Sequence, residues 1–176
     1  MKTYFYKQAG NIRSTEPHTI VNEQGTAIAT VQRIYDNGLK KFLDGYFDYR
    51  YFLKYTVQAK DEDKQFEVKK VFRRGKVWFE GKDLQTKTKY IISYENWRIG
   101  VPELFISGNE LKMKIEKVME GWSEFIVDEQ IIARWKADYD EQSDEFFMTL
   151  EIEEVSPLQD VGFFVGIAQA ALFIGV

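Results

Sequence analysis

The feature that most constrains this fold is the apolar stretch VGFFVGIAQAALFIGV at residues 161–176. It contains no charged residue and one polar side chain, Gln169. A helix that is apolar on every side must be buried on every side, either in lipid or in protein. Either a membrane or the rest of the chain must therefore bury this stretch away from water.

The residues before this stretch carry the signature of a helix start. Ser156 occupies an N-cap position, Pro157 the first helical position, and Gln159 a position from which its side chain can return a hydrogen bond to the cap. Asp160 adds negative charge to the first turn, where the helix dipole favours it. The sequence therefore predicts a helix over residues 157–173.

Burial of this helix in protein is favoured over burial in lipid. A membrane span needs about 20 apolar residues, whereas this run has 16 and an acidic flank, EIEEVSPLQD, before it. Gly162, Gly166 and Gly175 leave small gaps through which surrounding strands can approach closely. A barrel of many strands encloses more space than side chains fill, so it needs a ligand or a plug. We expect a central core helix, with a membrane tail anchor as the alternative.

Short segments that alternate between apolar and polar residues occupy most of residues 1–155. In ELKMKIEKVM, for example, Leu111, Met113 and Ile115 share one face. About twelve such segments occur at the spacing of a sandwich or barrel. In residues 39–57 a strand and a short helical turn through Leu39, Phe42 and Leu43 both remain open. Since no linker divides the chain, we expect a single domain over residues 1–176.

Composition and charge narrow the class of function. Aromatic residues make up 16% of the chain and cysteine is absent, which excludes thiolate catalysis and thiolate metal sites. The N-terminus has no continuous apolar segment, so we expect no secretory signal there. Residues 33–90 carry 15 Lys and Arg against 9 Asp and Glu, while residues 91–176 carry 6 against 17. Because the whole chain is acidic, we expect no general affinity for nucleic acid.

The late strand pairs and the helix after them carry a family resemblance. GNELKMKIEK, WSEFIVDEQIIARWKADYDEQSDEFFMTLEIEE and SPLQDVGFFVGIAQAALFIGV resemble the tubby C-terminal-like superfamily, as does the earlier unit HTIVNEQGTAIATVQRIY. That superfamily includes the LURP-one-related proteins and the phospholipid scramblases. The resemblance implies a mainly β fold, a closed antiparallel barrel of about twelve strands around a hydrophobic C-terminal helix. In tubby the domain binds phosphoinositide headgroups through basic side chains; those residues are not matched position by position to this sequence, so none is carried over.

Motifs for catalysis or metal binding are missing from the sequence. The only histidine, His18, has no fixed serine partner, although a triad can assemble from distant positions. G-x-S-x-G, P-loop and zinc-ligand patterns are absent. The acidic run at residues 138–145 suggests cation binding, but it lacks the glycine and terminal glutamate of an EF-hand loop and favours an acidic hairpin turn. We expect no catalytic residue, metal or cofactor; an enzyme would need a deep pocket of titratable groups.

The segment KKVFRRGKVW is the candidate partner-binding site. With Arg74 and Gly75 in the turn of a hairpin, basic side chains would crowd one end beside an aromatic ring. Arginine offers a forked donor for phosphate, and tryptophan suits a lipid interface. Alternatively, these basic residues only solvate the outer face and pair with acidic residues. The candidate anion-binding residues are Lys69, Lys70, Arg73, Arg74, Lys76 and Trp78.

These observations lead to an expected function. We expect a non-enzymatic binding or scaffold module in the cytoplasm that recognises anionic phospholipid headgroups at a membrane surface, with protein partners as a second option. The alternative is a tail-anchored, membrane-associated protein with a scramblase-like role.

Overall fold

A computed structural model describes residues 1–60, 63–74, 76–95, 103–118 and 121–172. Within these ranges the chain forms twelve β-strands, two α-helices and one short 3-10 helix. The strands are β1 Lys2–Ala9, β2 His18–Asn22, β3 Ala27–Arg33, β4 Lys54–Ala59, β5 Gln65–Arg73, β6 Lys76–Asp83, β7 Lys89–Glu95, β8 Glu103–Gly108, β9 Leu111–Glu116, β10 Ser123–Val127, β11 Gln130–Asp140 and β12 Glu145–Ile152. The helices are α1 Gly38–Asp44, the 3-10 helix Gly45–Phe47 and α2 Val161–Leu172.

The strands form a closed antiparallel barrel. Each strand pairs with its neighbours in the chain, and β1 pairs with β12 to close the ring. The closing register runs from Lys2 opposite Ile152 to Ala9 opposite Glu145. The predicted barrel of about twelve strands is therefore confirmed.

Alternation along the strands divides the inside of the barrel from the outside. In β9, Met113 and Ile115 are buried while Lys112 is exposed, and in β12 Met148, Leu150 and Ile152 are all buried. Successive side chains of a strand point to opposite faces, so the buried set lines the interior.

Helix α2 lies inside the barrel. All ten residues from Phe163 to Leu172 are buried, including the polar Gln169, whose Oε1 accepts a hydrogen bond from the Tyr6 hydroxyl at 3.3 Å. The Phe163 ring packs against Phe66 and Tyr90 of the barrel wall. The core-helix interpretation is confirmed for these residues rather than the tail anchor, and residues 173–176 lie outside the described ranges. Among the described residues, no helix combines the length and apolar character that crossing a membrane requires.

The predicted start of this helix is wrong by four residues, because α2 begins at Val161 rather than at residue 157. Asp160 is the capping residue: its Oδ1 accepts a hydrogen bond from the backbone N–H of Phe163 at 3.2 Å. The Ser156 hydroxyl instead makes a local turn with Leu158, donating to its carbonyl oxygen at 2.6 Å. The Gln159 side-chain amide donates to Glu153 O at 2.8 Å and so ties this turn to the end of β12.

The predicted close approach of strands to small helical residues is confirmed for Gly162 and Gly166. A Cβ atom on Gly166 would stand 2.8 Å from Cδ1 of Phe66, and one on Gly162 would stand 3.3 Å from Cβ of the same residue. A Cβ on Gly81 of β6 would stand 2.8 Å from Cζ and 3.4 Å from Cε1 of the same ring. Phe66 therefore packs closely against two glycines, Gly166 and Gly81. Gly175 lies outside the described residues.

One end of the barrel, here called the α1 end, carries three features that bear on function. Helix α1 and the 3-10 helix join β3 to β4 there, and the β5–β6 turn lies at the same end. The turn at residues 141–144 between β11 and β12 also lies at this end, and it confirms the predicted acidic hairpin turn. In the strand order this acidic hairpin is six strands away from β5–β6, on the opposite side of the rim.

Candidate functional site

The basic segment forms the predicted hairpin between β5 and β6. Arg73 pairs with Lys76 at its end, and Arg74 lies in the turn with a φ of +51°. Gly75 lies outside the described residues. Arg73, Arg74 and Lys76 are exposed, and none of the three forms an ion pair with any residue that the structure describes.

The structure divides the six candidate residues between two faces of this hairpin. Phe66 and Val68 point into the barrel, so Lys70, two positions further along, continues the inner face beyond the buried core. Lys69 and Arg73 lie on the outer face. Cross-strand pairing places Trp78 opposite Val71, and Lys76 opposite Arg73, on that same outer face. The outer face therefore carries Lys69, Arg73, Lys76 and Trp78, the turn carries Arg74, and the inner face carries Lys70.

The charge of Lys69 is partly compensated. Its Nζ lies 3.3 Å from Oε2 of Glu80, the residue opposite it on β6, and both side chains are about half exposed. The half-buried Trp78 lies beside this pair, with its indole N–H 3.4 Å from Oε1 of Glu80. Pairing of basic with acidic side chains, the alternative that the sequence left open, therefore applies to Lys69.

Lys70 has a more enclosed environment. Its Nζ donates a hydrogen bond to Arg50 O at 2.9 Å and lies 4.9 Å from the centroid of the Phe72 ring. Its backbone N–H donates to Leu53 O at 2.8 Å. Burial, together with the nearby positive charge of Arg50, lowers the pKa of Lys70. Lys70 therefore joins the hairpin to the segment that follows α1.

A group of exposed apolar side chains lies next to the hairpin, and sequence reasoning did not assign it a role. It belongs to α1, the 3-10 helix and the adjoining strand ends. Tyr51 stacks on Phe72 of β5, with 4.4 Å between ring centroids and 5° between planes. We call this group the apolar projection. Its members and their exposed fractions are Leu39 66%, Phe42 63%, Leu43 38%, Tyr46 74%, Phe47 52%, Tyr51 37% and Phe72 40%.

Beneath the apolar projection, a buried ion pair fixes α1 to the barrel. Arg33 Nη2 lies 2.6 Å from Asp44 Oδ2, and the two side chains are almost fully buried. Tyr35 donates its hydroxyl to the same carboxylate oxygen at 2.8 Å. The backbone N–H groups of Tyr51 and Phe52 donate to Asp44 Oδ1 at 3.0 and 2.9 Å. Burial and the hydrogen bond to Asp44 raise the pKa of Tyr35.

A cavity of about 350 Å³ separates α1 from β4 and β5. Among its lining residues, Lys54 Nζ pairs with Asp36 at 3.1 Å and with Glu67 at 2.5 Å, and Lys40 Nζ pairs with Asp36 at 2.5 Å. Hydrogen bonds from Lys40 and Lys54 lower the pKa of Asp36. These two lysines are therefore compensated within the fold, unlike the cations at the tip of the hairpin.

Comparison with known families then assigns the chain. A family model described as Tubby C-terminal like domain matches residues 4–174. The chain belongs to this family. No curated protein and no solved structure matches the chain. The match to the family model confirms the resemblance to tubby C-terminal-like proteins that the late strands and the terminal helix indicated.

Two further observations on this tubby C-terminal-like domain concern its histidine and its acidic side chains. His18 is half-buried at the start of β2, and burial lowers its pKa. Within the described ranges, no group of three or more His, Asp or Glu side chains is arranged to hold a metal ion. What the α1 end does provide is fixed positive charge beside exposed aromatic rings.

Proposed function

We propose that this tubby C-terminal-like domain is a non-enzymatic module that binds anionic membrane surfaces through the β5–β6 hairpin. One observation carries the proposal. Residues 69–76 contain five cations and no carboxylate, and Arg73, Arg74 and Lys76 are exposed without an ion pair among the described residues. A surface of this kind attracts lipid phosphate, which arginine can bind through two parallel hydrogen bonds.

The expected strength follows from the number of uncompensated charges. A basic residue close to an anionic leaflet contributes about 1 kcal/mol. Arg73, Arg74 and Lys76 together contribute about 3 kcal/mol, which corresponds to a preference of roughly 100-fold for anionic over neutral vesicles. Such binding weakens with salt, because the interacting charges are exposed.

Family membership supports the proposal. Tubby-like domains bind phosphoinositide lipids, and barrels of this family are generally non-enzymatic. The proposal includes a cytoplasmic location at the periphery of a membrane, since cytoplasmic leaflets are rich in anionic lipid. A protein partner at the same surface is the competing outcome.

Binding to vesicles tests the proposal. The full chain is sedimented with phosphatidylcholine vesicles, with and without phosphatidylserine, at increasing salt. Arg73→Gln with Arg74→Gln removes two of the three uncompensated charges and is expected to weaken binding roughly 30-fold. The matched control is Lys87→Gln with Lys89→Gln, which removes two exposed charges at the opposite end of the barrel. Binding that requires no anionic lipid, or that both double variants weaken equally, would contradict the proposal.

A further inference from the structure

Helix α1 presents its apolar face to water. Leu39, Phe42, Leu43 and Tyr46 follow the i, i+3, i+4, i+7 spacing that normally faces a core. Here those residues are exposed, and the only buried residue of the helix is Asp44. A contiguous exposed group of large apolar side chains marks an interaction surface rather than ordinary variation in surface composition.

The outward orientation is imposed by the fold. Asp44 accepts four hydrogen bonds, from Arg33, Tyr35 and two backbone N–H groups, so turning α1 over would break all of them. The first turn is capped by Asn37, whose Oδ1 accepts the backbone N–H of Lys40 at 2.9 Å. The apolar projection is therefore held in place before any partner arrives.

The surroundings of the apolar projection select its partner. Lys41 and Arg50 are exposed within it, and the Tyr51–Phe72 stack joins it to the hairpin that carries Arg73 and Arg74. Exposed Leu, Phe and Tyr flanked by Lys and Arg is the composition of segments that lie in the interfacial layer of a bilayer. A bilayer receives a projection without needing a complementary groove, and it supplies anionic phosphate to the flanking cations.

An acidic hairpin at the same end of the barrel bears on the direction of approach. The hairpin β11–β12 carries Asp140, Glu141 and Asp144, six strands from β5–β6. An anionic surface repels that side while it attracts the side of α1 and β5–β6. The barrel would therefore meet a membrane tilted, with the apolar projection and the basic hairpin toward the lipid.

We infer that the apolar projection inserts into the interfacial layer of an anionic bilayer, while the basic hairpin contacts the headgroups around it. This inference rests on the proposed function and adds an apolar contribution to the free energy of membrane binding, which salt does not screen. It also assigns a role to Leu39, Phe42, Tyr46 and Phe47, which carry no charge and lie outside the hairpin.

Fluorescent labelling tests insertion directly, because the chain has no cysteine. Tyr46→Cys, at a position 74% exposed, is labelled with an environment-sensitive dye and mixed with phosphatidylcholine–phosphatidylserine vesicles. Val155→Cys, 78% exposed at the other end of the barrel, is the matched control. We expect a blue shift, and quenching by spin-labelled lipid tails, for the label at position 46 alone. A label at 46 that stays in water while the protein binds vesicles would overturn the inference.

Affinity measurements separate insertion from electrostatic binding. Leu39→Ala with Phe42→Ala is expected to weaken vesicle binding about 30-fold at every salt concentration. Phe5→Ala with Phe147→Ala is the control, since those side chains are 41% and 42% exposed on β1 and β12, outside the apolar projection. An equal loss in both double variants, or no loss in either, would overturn the inference.

The two proposals fail in different ways. Salt-sensitive binding with no effect of Leu39→Ala and Phe42→Ala refutes insertion and leaves the proposed function standing. Binding that is insensitive to salt and to Arg73→Gln with Arg74→Gln refutes the proposed function. An absence of vesicle binding under all conditions refutes both.

Discussion

Placing alanine at Gly166 tests how tightly the central helix fits the barrel. Alanine would normally stabilise a helix interior by about 1 kcal/mol relative to glycine. Here its Cβ would stand 2.8 Å from Cδ1 and 3.1 Å from Cε1 of Phe66. The ring also packs closely against β6, because a Cβ on Gly81 would stand 2.8 Å from its Cζ.

The magnitude follows from these two opposing effects. Overpacking of a dense core costs about 1–3 kcal/mol, and the separations of 2.8 and 3.1 Å from two atoms of the Phe66 ring favour the upper half of that range. After the gain in helix propensity is subtracted, Gly166→Ala is expected to lower the free energy of unfolding by about 1–2 kcal/mol.

A second substitution should reverse the sign. Phe66→Val removes the ring atoms that the new methyl group would meet, at a cost below the roughly 3–5 kcal/mol of a phenylalanine-to-alanine change. In that background Gly166→Ala should stabilise the protein by about 0.5–1 kcal/mol, because only the helix-propensity effect remains. The two positions are therefore expected to be strongly non-additive in a double-mutant cycle.

Urea denaturation of the four proteins measures the cycle. Gly38→Ala is the control, since no atom lies within 4 Å of the Cβ it would introduce, and we expect that variant to be no less stable than the wild type. If Gly166→Ala raised the unfolding midpoint in the wild-type background, the close packing of Phe66 against α2 would be refuted.

Two further predictions concern buried charges. Asp44→Ala leaves Arg33 buried without its carboxylate partner and is expected to lower the free energy of unfolding by about 3–5 kcal/mol. The control is Asp36→Ala, at an exposed position, which should cost at most about 1 kcal/mol. Equal losses for the two variants in urea denaturation would contradict the prediction. Lys117 donates to Leu172 O at 3.2 Å, and burial lowers its pKa to about 8 from 10.5. Between pH 8 and pH 10.5 the unfolded chain therefore binds more protons than the folded chain, so the free energy of unfolding of the wild type rises with pH. Relative to Lys117→Met, it should rise by about 2 kcal/mol from pH 8 to pH 10. A difference between the two proteins that stays flat or falls over this range would refute the prediction.

Strand alternation made the barrel wall predictable from sequence. Met113 and Ile115 point inward because apolar side chains at every second position define one face of a strand. The closure of the barrel was harder to predict from local sequence patterns. The pairing of Lys2 with Ile152 joins residues from the two ends of the domain, and it entered the prediction through the family resemblance and the need to enclose a helix.

The start of α2 shows where a local signal fails. Ser156, Pro157 and Gln159 form a sound N-terminal sequence for a helix, yet the chain must first pass from the edge of β12 to the centre of the barrel. That path uses Ser156 and Gln159 for a turn and leaves Asp160 to cap the helix. Tertiary geometry therefore moved the helix start by four residues.

The candidate site was predicted only in part. The hairpin and its cations follow from the turn residues and the charge pattern. The spacing of Leu39, Phe42 and Leu43 left a strand and a helical turn both open, and the structure has the helix α1 there. Periodicity alone does not say which face of that helix is exposed to water. Burial of Asp44 against Arg33, eleven residues away in the chain, settles the orientation.

The position of α2 in the chain has a consequence for synthesis. The helix that fills the barrel follows all twelve strands, so the strands leave the ribosome before the surface that their inner faces pack against exists. At about 5–20 residues per second, β1 waits roughly 7–30 s for its partner β12. During that interval apolar strand faces and unpaired strand edges are open to association with other chains. The nascent barrel should therefore depend on chaperones until α2 emerges.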